Sequence, residues 1–148
     1  LFADDAPEKQ EITVDFFENF VKLGFYEVCV SEYVVQELNQ VADPAERERL
    51  LNVLTDYPIE LRPVSDFTEI GFLARNYLDR GVMPPKKLLD ALHVAFCVLH
   101  EIDYLVSWNF KHLANVNRER RVLALNAELG YRHPLRIITP TELTGYGT

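Results

Sequence analysis

The chain has 148 residues, 48% of them hydrophobic, which suits one domain with an ordinary buried core. Its formal net charge of -8 argues against a protein that holds nucleic acid on a broad basic surface, because neutralising phosphates requires clustered Lys and Arg. An enzyme that cuts nucleic acid is not excluded, since a divalent ion bound by carboxylates reverses the local charge.

No apolar run approaches the roughly 18 residues that a membrane span needs, and LFADDAPEKQ lacks the basic and apolar regions of a secretion signal. We therefore expect a cytoplasmic protein without a membrane partner. Cys29 and Cys97 lie in apolar stretches, which favours two buried, reduced thiols over a disulfide or a metal site.

The N-terminal third predicts a helix, a strand and a second helix. Asp5, Ala6 and Pro7 are typical of a helix start, and Gly24 ends the pattern. FYEVCV, rich in β-branched and aromatic residues, predicts a strand, and Ser31 is placed to cap a helix through SEYVVQELNQ.

The middle of the chain repeats this alternation. Asp43 and Pro44 start another helix, and IELRPV predicts a short strand that Pro63 confines to an edge or an end. Ser65 and Asp66 open a further helix, which Gly81 ends.

The C-terminal part predicts a helix from about Lys86 to Glu101, the strand YLVSW, a helical region that includes Val122, and a last strand, RIITP. Alternating strands and helices indicate an α/β domain of three layers around a mostly parallel sheet. Such folds place their ligands beyond the carboxyl ends of the strands.

Three polar residues occupy such positions. Glu37 lies two turns into the helix after the first strand, Asp90 lies on the first turns of the long helix, and Asn109 directly follows YLVSW. Oxygen ligands without Cys or clustered His favour Mg²⁺ or Mn²⁺ over zinc. An ion held there would support phosphodiester hydrolysis by polarising the phosphoryl oxygen and activating a water.

Each residue also has an ordinary structural interpretation. Asp90 would complement the dipole of its helix, Glu37 would be a solvated helix residue, and Asn109 would be a turn residue or helix cap. His93 lies one turn after Asp90 on the same face. We expect His93 to orient the site or a phosphate rather than to bind metal.

The chain contains, in this order, the stretches SEYVVQEL, DALHVA, DYLVSWNFKHLAN and RIITPTEL. Together they resemble the PIN domain family, including its toxins of VapC type, over nearly the whole chain. The resemblance implies one PIN-like domain over residues 1–148, a three-layer Rossmann-like fold, and endoribonuclease activity that depends on Mg²⁺ or Mn²⁺. For the toxins it also implies an RNA substrate, an antitoxin partner and often a homodimer.

Matched by motif, Glu37 and Asp90 occupy the second and third acidic positions of the family. The first acid usually ends an N-terminal strand that this chain does not contain, so we expect that strand either upstream of Leu1 or missing. Asp4 and Asp5 are more simply capping residues. Asn109 stands where many relatives have Asp, which removes a charge and should weaken metal binding.

Basic residues near the predicted site could contact an RNA backbone or simply form a solvated helix rim. They are Lys86, Lys87, Lys111, Arg118, Arg120 and Arg121. A second surface feature is the apolar face formed by Phe16, Phe17 and Phe20, which exceeds what one sheet needs and favours a homodimer.

The preferred hypothesis is a ribonuclease, the toxin of a toxin-antitoxin pair, with Glu37, Asp90 and Asn109 as metal ligands and His93 in support. The alternative is a degenerate PIN-like module that binds nucleic acid or protein without catalysis, which Asn109 and the unseen first acid favour. A phosphoacceptor signalling domain ranks below both, because its acceptor Asp should directly follow a strand where this chain has Asn109.

Overall fold

The computed structural model describes residues 7–107 and 116–144. Its helices are α1 (Pro7–Asp15), continued by a π-helical segment (Phe16–Val21), α2 (Glu32–Asn39), α3 (Pro44–Asp56), α4 (Phe67–Asp79), α5 (Leu88–Leu99), α6 (Val116–Glu128) and α7 (Pro140–Thr144). Its strands are β1 (Val28–Ser31), β2 (Ile59–Arg62), β3 (Tyr104–Val106) and β4 (Arg136–Ile138). The predicted mixture of helices and strands is confirmed.

The strands form two parallel pairs. β1 pairs with β2, with Val28 opposite Ile59, and β3 pairs with β4, with Leu105 opposite Ile137. Helices separate the partners along the chain, as parallel pairing requires. Parallel pairing is therefore as predicted, but within residues 7–107 and 116–144 the two pairs are not joined into one central sheet.

Local signals explain most element boundaries. The Asp43 carboxylate accepts a hydrogen bond from the Ala45 backbone N–H at 3.1 Å, as expected of a helix cap. Gly81 follows α4 with a φ of 69°, which lets the chain turn away from the helix. Ser31 and Asp66 precede α2 and α4, but neither makes a side-chain cap hydrogen bond.

The first strand begins later than FYEVCV predicted. The Phe25 N–H donates to the Phe20 carbonyl at 2.8 Å, and Gly24 turns the chain with a φ of 83°. Phe25 is therefore tied to the end of the π-helical segment by the turn that follows it, and its side chain is exposed. Pairing starts only at Val28.

The main hydrophobic core lies between α4 and α5. It buries side chains of both helices and of α6 and β4, among them Ile70, Leu73, Tyr77, Val94, Phe96, Val122 and Ile137. Both cysteines are free thiols, as predicted; Cys97 is buried there as expected, whereas Cys29 is only half-buried. Burial raises the pKa of the Cys97 thiol, so it acts as an apolar core residue.

A second, aromatic cluster surrounds the π-helical segment. Phe16 and Phe17 are each 3% exposed and pack with the nearby Tyr26 and with Tyr57 and Leu143, which come from distant parts of the chain. Phe16 and Phe17 are therefore buried by their own chain and do not form the exposed apolar face expected from the sequence, whereas Phe20, the third residue of that face, is half-buried.

Across residues 7–107 and 116–144, we find no helix with both the length and the apolar character that crossing a membrane would require.

Candidate functional site

Two of the predicted site residues are in direct contact. Glu37 lies on α2, which follows β1 without a break, and His93 lies on the second turn of α5. α2 packs against α5, and the Nε2 atom of His93 lies 2.9 Å from Oε2 of Glu37. The fold thus brings together two residues that are 56 positions apart in the chain.

This contact stabilises the ionised form of Glu37. The hydrogen bond from His93 lowers the pKa of the Glu37 carboxyl below its usual value, so the group stays ionised to a lower pH than an ordinary glutamate. An ionised carboxylate only accepts hydrogen bonds, which assigns the proton to Nε2 of His93. The His93 side chain is 11% exposed and that of Glu37 is 55% exposed, so the carboxylate lies at the rim of the contact.

Asp90 lies in the first turn of α5, three residues before His93 and on the same helix face. Its side chain is half-buried at a helix N-terminus, where the helix dipole favours a negative charge. This position agrees with a residue that stabilises the helix dipole and also with a metal ligand, so it does not decide between the two interpretations. Asn109, the third predicted ligand, lies outside the described residues.

The oxygens of Glu37 and Asp90 suit a hard divalent cation such as Mg²⁺ or Mn²⁺. Glu37 meets the first requirement of a ligand, because it is ionised and reaches solvent. In the parts of the chain that the structure describes, no group of three His, Cys, Asp or Glu side chains is arranged to hold a metal ion. A complete ligand set would need Asn109, another residue outside these parts, or water.

Sequence reasoning missed two residues that support this contact. The ring of Tyr33 packs edge-on against His93, with the ring centroids 6.5 Å apart. Glu32 accepts a hydrogen bond from the Val64 backbone N–H at 2.6 Å, which ties the start of α2 to the segment after β2. Tyr33 and Glu37 are four residues apart on one helix and so share a face, and this spacing could have indicated from the sequence that Tyr33 lies near the site.

The predicted RNA contacts have different surroundings. Lys86 and Arg120 are exposed, and Lys87 is half-buried just before α5. Arg118 and Arg121 donate hydrogen bonds to the backbone carbonyls of Val82 and Gly81. Lys111 lies outside the described residues.

A cavity of about 300 Å³ lies at the far end of α5 and is lined by Asp66, Glu69, Glu101 and His133, among others. It is roughly 15 Å along the helix from Asp90, given a rise of about 1.5 Å per residue. None of the predicted site residues lines it. The contact between Glu37 and His93 therefore belongs to a surface site at the other end of the helix.

Comparisons with protein-family models, with curated proteins and with solved structures give no match for this chain.

Proposed function

We propose that this chain is a metal-dependent endoribonuclease with a three-layer PIN-like fold, and that it acts as the toxin of a toxin-antitoxin pair. The observation that carries the proposal is the 2.9 Å contact between His93 and Glu37, with Asp90 one turn before His93. It places the Glu37 carboxyl group, from the helix after β1, beside the helix that carries Asp90. Metal-assisted phosphodiester hydrolysis needs this kind of convergence.

Within this proposal, Glu37, Asp90 and Asn109 hold Mg²⁺ or Mn²⁺. When bound, the ion polarises the phosphoryl oxygen and lowers the pKa of a water. His93 does not bind the ion. Its hydrogen bond favours the ionised form of Glu37 and fixes the orientation of the carboxylate, as hydrogen-bond partners of metal ligands commonly do.

RNA as the substrate follows from the resemblance, and exposed cations near the start of α5 and on α6 would attract its phosphates. Lys86 precedes the helix of Asp90, and Arg120 lies on α6; both are exposed. Each can neutralise a phosphate without reading sequence. The antitoxin and a homodimer follow from the resemblance to the toxins, and the buried Phe16 and Phe17 give a homodimer no support.

The test is cleavage of a mixed pool of structured RNA, with Mg²⁺ or Mn²⁺ against EDTA, by protein expressed from its complete gene. Asp90→Asn should lose nearly all metal-dependent cleavage, because it removes one charge from the ligand set. Asp79→Asn, which removes an exposed carboxylate at the end of α4, should cut normally.

Calorimetric titration with Mn²⁺ separates the proposal from its alternative. Cleavage that persists in Asp90→Asn would remove Asp90 from the mechanism. A wild-type protein that neither cuts RNA nor binds Mn²⁺ would instead be a binding module without catalysis.

A further inference from the structure

α6 is hydrogen-bonded to the turn that follows α4 through three consecutive residues of that turn. Arg80 donates to the carboxylate of Glu128 at 3.2 Å, and Arg121 donates to the Gly81 carbonyl at 2.7 Å. Arg118 donates to the carbonyl of Val82. We call Arg118 and Arg121 the arginine clamp, because both hold main-chain atoms rather than a flexible side chain.

The segment held by the arginine clamp is itself well fixed. The backbone N–H groups of Val82 and Met83 both donate to the Tyr77 carbonyl, at 2.9 and 3.0 Å. Val82 and Met83 are 5% and 1% exposed. The Lys87 N–H then donates to the Pro84 carbonyl at 3.0 Å, immediately before α5. Hydrogen bonds and buried side chains therefore hold the chain from Val82 to the start of α5.

The two chain segments that the arginine clamp joins are next in sequence to different predicted metal ligands. The clamped segment runs into α5, whose first turn carries Asp90. The clamp arginines lie in the first two turns of α6, and α6 follows the stretch that contains Asn109 in the sequence. The arginine clamp thus links the chain segment before Asp90 to α6, the helix that follows Asn109 in the sequence.

Each guanidinium group donates a hydrogen bond to a carbonyl oxygen, although Arg121 is itself exposed. Arg118 is half-buried, and this burial, together with the charge of Arg121, lowers the pKa of its guanidinium. Burying a charged group costs free energy because it loses hydration, and the hydrogen bond to a main-chain oxygen offsets part of this cost. Arg120, on the same turns of α6, is exposed.

We propose that Arg118 and Arg121 are positioning residues, which fix the start of α5, and with it Asp90, relative to α6. This inference rests on the proposed nuclease function. It assigns to the two arginines a role different from the phosphate contact that the sequence suggested for the whole basic group. Arg120 keeps that contact role.

The test compares Arg118→Met, Arg121→Met and Arg120→Met in RNA cleavage. Methionine keeps an apolar stem of similar length and removes the donor, so the variants should fold. Loss of either clamp residue should lower kcat roughly ten- to a hundredfold, the size expected for a misplaced catalytic group, with little change in KM. Arg120→Met should instead raise KM and weaken the salt dependence of binding.

Arg121→Lys adds a rescue arm, because a lysine can still donate to the Gly81 carbonyl and should recover most of kcat. Amide hydrogen exchange of residues 88–91 should speed up in the two clamp variants and not in Arg120→Met. A KM effect without a kcat effect in the clamp variants would overturn the inference and leave the nuclease intact. A wild-type protein without metal-dependent cleavage would overturn the nuclease proposal, and this inference would fall with it.

Discussion

The side chain of Glu37 is 55% exposed, yet the pKa of its carboxyl is lowered because His93 donates a hydrogen bond to it. Burial acts in the opposite direction and is the smaller effect. The free-energy gain is small, since water screens an exposed pair. Its consequence is chemical: a carboxylate that stays ionised in mildly acidic solution remains able to attract a cation.

Replacing His93 with Phe keeps a ring beside Tyr33 and removes the donor, so the pKa of Glu37 should rise towards 4.5. In the wild type the folded-state pKa lies below the unfolded one. The contact therefore contributes stability above pH 4.5, and this contribution is lost as the pH falls through the folded-state pKa. His93→Phe should lose this acid-range dependence in denaturant unfolding measured over a pH series.

Carboxyl NMR titration of the same variant supplies the control. The pKa of Glu18 is lowered by a hydrogen bond from Tyr57, far from His93 in the sequence, and should not change. An unchanged pKa for Glu37 would show that the contact with His93 does not control its ionisation.

At the scale of elements, α4 offers a matched pair of glycines. Gly71 lies inside the helix, and a Cβ built there meets nothing within 4 Å. Gly81 follows the helix with a φ of 69°, a conformation that L residues adopt at a cost of roughly 1–2 kcal/mol. The two positions should therefore respond to alanine with opposite signs.

Gly71→Ala should raise the free energy of unfolding by up to about 1 kcal/mol, the difference in helix propensity. Gly81→Ala should lower it by about 1–2 kcal/mol through backbone strain. Denaturant titration of both variants measures the two values. An equal loss in both would mean that the effect comes from packing and not from the backbone conformation.

The elements also show what the sequence could predict. Asp43 and Gly81 mark a helix start and a helix end, because a cap or a left-handed residue acts within one turn of the chain. The contact between Glu37 and His93 depends on how α2 packs on α5. Sequence reasoning named both residues but not their hydrogen bond, since no local pattern encodes the packing of distant helices.

The same limit explains the arginines and phenylalanines. Arg118 looked like a surface cation because the carbonyl that it holds is a main-chain atom with no signature in the sequence. Phe16 and Phe17 looked like an exposed apolar face because the residues that bury them, Tyr57 and Leu143, come from elsewhere in the chain. The element types were predictable, and their mutual contacts were not.

The whole molecule contains two hydrophobic clusters in its described parts. One is built on α4 and α5, and the other surrounds the π-helical segment. Asp90 and His93 lie on α5, which belongs to the first cluster, and Glu37 lies on α2, which packs against α5. A lesion in the aromatic cluster should therefore affect the site less than a lesion between α4 and α5.

Phe17→Ala tests this division. Removing a buried ring should cost about 3–5 kcal/mol of unfolding free energy, whereas Phe72→Ala, at a side chain that is 55% exposed, should change it by less than about 0.5. Amide hydrogen exchange in Phe17→Ala should rise more in α1 and α7 than in α4 and α5. Equal loss of protection in all four helices would show that the two clusters unfold as one unit.

The hydroxyl of Tyr26 donates to the Leu143 carbonyl at 3.2 Å, across 117 positions of the chain. Leu143 also packs on the aromatic cluster. During synthesis on the ribosome, the phenylalanines at 16 and 17 therefore emerge long before the residue that completes their surroundings. Contacts of such long range close slowly, because a large loop must be ordered first. Until α7 has been made, the side of this cluster that Leu143 covers stays open to solvent, and apolar surface exposed in this way favours aggregation of a nascent chain.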